Sequence, residues 1–154
     1  MAARGHEIVF VVDTNVLMYA ANPHAPEHSR CRELLEQWRS QAGAWYLTWG
    51  ICHEFMRAAT HRRGPRPSSP SDAYAFLGAV LASRGLQVLA AGDRYRAVLD
   101  EVVRDVPGLT GDIWHDVETA ALMREHGIRR IVTRDTDFHR FRFLEVVDPL
   151  TAEP

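Results

Sequence analysis

The sequence predicts an α/β fold built on a parallel sheet of about five strands. Two observations carry the prediction. Short apolar, often β-branched runs alternate along the chain with stretches of helical periodicity, the pattern of successive βα units. The first run, Ile-Val-Phe-Val-Val at 8–12, is apolar throughout, as a strand covered on both faces requires. At 154 residues with 46% hydrophobic content, the chain can bury a sizeable core as one domain over 1–154 without disulfide help.

The elements follow in order. After the strand at 8–12, residues 14–21 read as a short helix stopped by Asn22-Pro23. Residues 26–41 form a helix with Cys31, Leu34, Leu35 and Trp38 on one stripe and Gly43 beyond its end. A brief strand at 45–47 leads to Thr48, a suitable cap for a helix reaching about His61 with Ile51, Phe55, Ala58 and Ala59 inward. Residues 62–70 are rich in Pro, Gly and Ser and predict no regular structure. A helix over 71–83, a strand at 86–90 and a helix over 93–106 come next. After a turn at 107–111, a helix over 112–126 closes on Gly127 in the C′ position. Strands at 131–133 and 144–147 complete the chain, with no internal repeat.

Composition excludes some classes. No apolar run approaches the ~20 residues of a membrane helix, and the start leads into a strand-like run with no signal-peptide pattern, so the expected compartment is the cytoplasm. Cys31 and Cys52 lack CxxC spacing and read as buried reduced thiols. The net charge is −2, and all 18 basic residues are Arg, a side chain suited to bidentate phosphate contacts. His24, His28, His53, His61, His115, His126 and His139 show no paired ligand spacing, and with His6 near the start a zinc site is not expected.

Acidic residues are the candidates for chemistry. Asp13 follows the first strand and Asp135 the strand at 131–133, with Asp137 two residues on; Glu54 and Asp116 lie on helices. In a parallel α/β sheet, ligands bind beyond the carboxyl ends of the strands at a topological switch point, where Asp13 and Asp135 fall. Carboxylates gathered there repel one another, and a cation offsets that repulsion; hard oxygen ligands suit Mg²⁺ or Mn²⁺. Local readings compete: Asp13 as a helix cap, Asp112 as a favourable charge at a helix N-terminus, Asp135 and Asp137 as turn formers.

The ordered set resembles the PIN-domain ribonucleases, and within them the VapC toxin branch. The carrying motifs are Asp13-Thr14-Asn15, Leu17-Met18-Tyr19-Ala20 with Asn22-Pro23, and Glu54-Phe55-Met56-Arg57-Ala58-Ala59-Thr60. They continue with Gly111-x-x-x-His115-Asp116-x-x-x-Ala120-Ala121-Leu122, Glu125-His126-Gly127, Thr133-x-Asp135-x-Asp137-Phe138 and Phe138-x-x-Phe141. The resemblance implies a three-layer α/β/α PIN-like fold. It implies catalytic acids at Asp13, Glu54, Asp116, Asp135 and Asp137, with Asp13, Asp116, Asp135 and Asp137 as ligands of Mg²⁺ or Mn²⁺. Thr14 or Asn15, with Thr133, would orient those acids. Asp112 stands where related chains often carry Asn, and either touches the ion or begins its helix.

The implied activity is metal-dependent endoribonuclease cleavage by the toxin of a type II toxin–antitoxin pair, leaving 5′-phosphate and 3′-hydroxyl ends and inhibiting translation or growth. Glu54 would hold a second ion or orient the attacking water. The implied partners are RNA, a VapB-like antitoxin and a second copy in a homodimer, with no membrane. Arg57, Arg62, Arg63 and Arg66 form the densest basic group and read either as a solvated helix end or as an RNA phosphate clamp. Arg134 is expected to pair with surplus carboxylates when metal is absent. Trp38 and Trp45 read as core; Trp49 and Trp114 read as packing, with base stacking as the alternative. The competing class is a catalytically inactive PIN-like module binding RNA or protein. A receiver-like phosphoacceptor domain fails for want of Lys and of paired acids after the first strand.

Overall fold

In the computed structural model, which describes residues 8–151, five parallel strands form one sheet. Chain order is β1 (Phe10–Val12), α1 (Thr14–Ala21), α2 (His28–Ser40), β2 (Trp45–Thr48), α3 (Trp49–Ala59), α4 (Pro70–Leu81) and β3 (Leu86–Leu89). It continues through α5 (Tyr95–Asp105), α6 (Ile113–Glu125), β4 (Arg130–Val132), a 3₁₀ helix (Thr136–Arg140) and β5 (Glu145–Val147). Helices cover both faces in a three-layer α/β/α arrangement.

The strand order is β3-β2-β1-β4-β5. The chain builds outward from β1 to one edge, returns through α5 and α6, and builds the other edge from β4. The switch point is therefore the crevice between the carboxyl ends of β1 and β4, paired Phe10 with Arg130, Val11 with Ile131 and Val12 with Val132. Phe10, Val11 and Val12 are all buried, as a central parallel strand demands. The predicted strand ran from Ile8, but Ile8 is 55% exposed and the paired segment begins at Phe10.

Local chemistry fixes the helix ends. The Thr48 hydroxyl accepts from the Ile51 amide at 3.0 Å and starts α3. Ser69, not Ser71, caps α4, because Pro70 occupies its first turn and the Asp72 amide reaches the Ser69 hydroxyl. Gly127, at φ +70°, ends α6: its amide bonds Arg124 O, and the Ile128 amide bonds Met123 O. The N-terminus of α5 is served from a distance, since the Glu125 carboxylate accepts from the amides of Gly92 and Arg94.

The predicted stripe of α2 is buried and its outer face carries ion pairs such as Arg32–Glu36. Trp38 packs against Phe10 and Trp45, with ring centroids 5.2 and 5.9 Å away. Beneath the 3₁₀ helix, Phe138 and Phe141 are fully buried, 6.0 Å apart. That packing sets the helix against α6 and β5 and fixes where Asp137 stands.

Candidate active site

Asp13 is the first residue past β1, and the ladder still holds there: its amide donates to Val132 O at 3.1 Å. Its carboxylate is clamped from both strand ends. Oδ1 accepts from the Thr14 amide at 2.8 Å, and Oδ2 accepts from Thr133 Oγ1 at 2.7 Å and Asn15 Nδ2 at 3.0 Å. Asn15 also reaches Thr133 Oγ1 at 2.9 Å and accepts from the Arg134 amide at 3.2 Å, so one amide side chain spans the gap between β1 and β4. Thr133 Oγ1 accepts from the Asp135 amide, and Asp135 Oδ1 accepts from the Asp137 amide, each at 2.9 Å, which turns the chain into the 3₁₀ helix. Across the crevice, Thr14 Oγ1 donates to Glu54 Oε2 at 2.9 Å.

Two adjoining hollows meet over these groups. One, of about 350 Å³, is lined by Asp13, Thr14, Asn15, Met18, Tyr19, Glu54, Asp116 and Asp135. The other, of about 430 Å³, shares Glu54, Asp116 and Asp135 and adds Arg57, Asp112, Ile113, His115 and Asp137. Asp116, Asp135 and Asp137 each offer a carboxylate oxygen within 4.8 Å of the others. Burial, then the charges of Asp135, Asp13, Glu54 and Asp137, push the Asp116 carboxyl up to about 8. Asp13 is raised to about 6, chiefly by burial; its bonds from Thr133 and Thr14 pull the other way, and the Glu54 and Asp135 charges add to the rise. An arrangement that opposes its own ionisation so strongly is one a divalent cation stabilises.

The PIN domain family model matches residues 10–144, a span that takes in every acid of both hollows. The chain belongs to the PIN-domain family. Its relatives over most of its length are VapC ribonucleases: VapC43 of Mycobacterium tuberculosis is 32% identical over 143 residues, covering 92% of this chain and 96% of the relative. Two solved structures share the PIN fold. VapBC2 of Rickettsia felis, bound to a promoter DNA fragment, has a TM-score of 0.67 at 15% identity, covering 90% of this chain and 96% of its own. VapC20 of Mycobacterium tuberculosis, described as a sarcin-ricin loop cleaving toxin, has a TM-score of 0.63 at 23% identity, covering 90% of this chain and 99% of its own.

Within this PIN fold, the five predicted acids line the two hollows together, with Thr14 and Asn15 in the first. Thr14, Asn15 and Thr133 each hydrogen-bond one of these acids, Thr14 to Glu54 and Asn15 and Thr133 to Asp13. Asp112 is exposed, begins α6 without a side-chain cap bond, and stands outside the group of three converging oxygens. Arg57 lines the second hollow beside the acids. Arg62 and Arg63 are exposed in the loop that follows α3, and Arg66 contacts His24.

Two expectations are corrected. Arg134 pairs with Glu27 at 3.0 Å and Asp148 at 3.5 Å, not with the clustered acids, because its amide is bound by Asn15 and its side chain leaves the crevice. Trp49 and Trp114 are not packed: each sits in the first turn of its helix and is about half exposed, at 53% and 46%. Trp114 keeps its indole N–H on Leu109 O at 3.0 Å. Asp135 shapes a turn by accepting from the Asp137 amide, and that turn leads into the 3₁₀ helix at Thr136–Arg140. Met18 and Tyr19, read from the sequence only as part of the Leu17–Ala20 motif, also line the first hollow. Among the described residues, no group of three or more candidate metal ligands includes a histidine, and His6 lies outside the described residues.

Proposed function

We propose that this chain, as one PIN domain, is a metal-dependent endoribonuclease of the VapC type that hydrolyses RNA phosphodiester bonds. The observation that carries the reading is the convergence of Asp116, Asp135 and Asp137 beside the clamped Asp13 at the β1/β4 switch point. The donor set fits Mg²⁺ or Mn²⁺. All groups are carboxylates, and three hydrogen bonds on Asp13 leave lone-pair capacity on its carboxylate. A bound divalent ion would supply Lewis-acid polarisation of a phosphoryl oxygen and acidify a water.

The protein's own groups do the rest. Thr133 and Asn15 keep Asp13 in one orientation, and Thr14 holds one oxygen of Glu54 so that Glu54 can orient the attacking water and take its proton. Arg57, in the same hollow, steadies the phosphate by charge, and Arg62, Arg63 and Arg66 extend a basic flank beyond it. Products carry 5′-phosphate and 3′-hydroxyl ends.

The VapC relatives and the VapBC2 likeness support placing the chain in a toxin–antitoxin pair, held in check by a VapB-like antitoxin and inhibiting translation or growth when released. A homodimer in the cytoplasm completes the proposal. Among the described residues, no helix is long and apolar enough to cross a membrane.

The test is incubation of total cellular RNA with the purified chain in Mg²⁺, Mn²⁺ or EDTA, beside Asp13→Asn. Discrete fragments that require metal and vanish in the variant are expected. Intact RNA in every condition, with binding retained, would assign the chain to the inactive binding module instead.

A further inference from the structure

A separate cleft of about 940 Å³ opens between the end of α5, α6 and the segment after the 3₁₀ helix, lined in part by Asp105, Arg124, His139, Arg140, Arg142 and Phe143. Its arginines are not alike. Arg124 is held by Glu101 at 3.2 Å and Asp105 at 3.3 Å and lies over the Phe143 ring, 5.0 Å from its centroid, so its charge is compensated and it forms a fixed wall. Arg140 donates to Gly108 O at 3.3 Å, bridging the 3₁₀ helix to the α5–α6 turn. Among the described residues, neither Arg140 nor Arg142 has a carboxylate within ion-pair distance. The cleft therefore presents two uncompensated guanidinium groups with His139 beside them.

Its position gives the charge a use. Asp137, one of the converging acids, and Arg140 lie on the same 3₁₀ helix three residues apart, about 6 Å along the axis at about 2.0 Å per residue. We propose that the cleft is a second RNA contact, in which Arg140 and Arg142 bind backbone phosphates of the strand whose scissile bond lies over the acids. An acidic protein segment would match the arginines but be repelled by the carboxylates one turn away. A nucleic-acid strand engaged with a cation at those carboxylates is not. The contact is distinct from the Arg57 flank, which lines the second hollow with Glu54. The proposal rests on the RNA-hydrolysis reading.

The test uses a fluorescein-labelled single-stranded RNA oligonucleotide, with labelled polyglutamate beside it, the full chain carrying Asp13→Asn to prevent cutting, and anisotropy in Mg²⁺ over a range of salt. Adding Arg140→Ala with Arg142→Ala is expected to weaken binding about tenfold or more. It should also flatten the slope of log K against log salt by about 1.4, since each phosphate contact on a single strand contributes about 0.7. Arg142→Ala alone, which removes no side-chain hydrogen bond or ion pair among the described residues, should flatten it by about 0.7 and covers the case in which losing Arg140 disturbs folding. Arg96→Ala, an exposed α5 arginine paired with Asp100, should change neither. Unaltered affinity and slope in both cleft variants would overturn the proposal. So would a loss confined to polyglutamate binding, which would assign the cleft to an acidic protein segment. Metal-dependent cleavage by the unmutated chain, read separately, shows whether the nuclease reading stands when the cleft proposal falls.

Discussion

Asp13 and Asp116 sit where neighbouring acids and burial oppose their charge. Their carboxyls rise from 3.8 to about 6 and about 8, so between those values the metal-free folded state binds more protons than the unfolded chain. The sign follows: the stability these groups contribute is complete below pH 3.8 and is lost as pH rises through about 6 and then about 8. The metal-free melting temperature should fall across that window, and added Mg²⁺ or Mn²⁺ should restore more of it at pH 8 than at pH 6, because the ion displaces those protons. A metal-free melting temperature that rises from pH 6 to 8 would refute this account. Thr133 offers a sharper probe. Thr133→Val keeps its shape but removes the 2.7 Å bond to Asp13 and the acceptor for the Asp135 amide. A loss of about 1.5–3 kcal/mol in urea unfolding is expected, with the Asp13 carboxyl driven higher still.

At the scale of elements, features decided by neighbours in sequence were legible and those decided by distant partners were not. The α2 stripe, the Thr48 cap and Gly127 at C′ each rest on residues within one or two turns, and all three stand in the structure. The 3₁₀ helix at Thr136–Arg140 escaped because its entry depends on Thr133 and on Phe138 and Phe141 filling the space beneath. Arg134 was misread because its partners, Glu27 and Asp148, come from the other end of α2's approach and from beyond β5. The exposed Trp49 and Trp114 show the same limit: a helix's first turn is covered only if another element reaches it. Gly127→Ala tests the local kind of prediction. It forces a Cβ onto φ +70° and should cost about 1 kcal/mol, a fall of about 2–4 °C in melting temperature by differential scanning calorimetry, with RNA cleavage intact. A change under half a degree would show that the motif contributes little.

Over the whole molecule, alternating strands and helices foretold the parallel sheet, and the rule that ligands gather past the carboxyl ends of strands pointed to the end of the sheet where Asp13 and Asp135 lie. Neither gave the strand order, since pairing β1 with both β2 and β4 is a matter of crossovers that no local pattern encodes. The arginine cleft was invisible for a related reason: Arg124, Arg140 and Arg142 meet only because α6 and the segment before β5 pack side by side. The exposed Pro- and Ser-rich stretch between α3 and α4 divides the acids, with Asp13 and Glu54 before it and Asp116, Asp135 and Asp137 after it. A cut in that stretch would leave neither piece with the full set, and the two would have to find each other through the β1/β4 and β2/β3 edges. Expressed as separate fragments, the chain would behave as a two-key device, harmless singly and able to cut only where both halves are present.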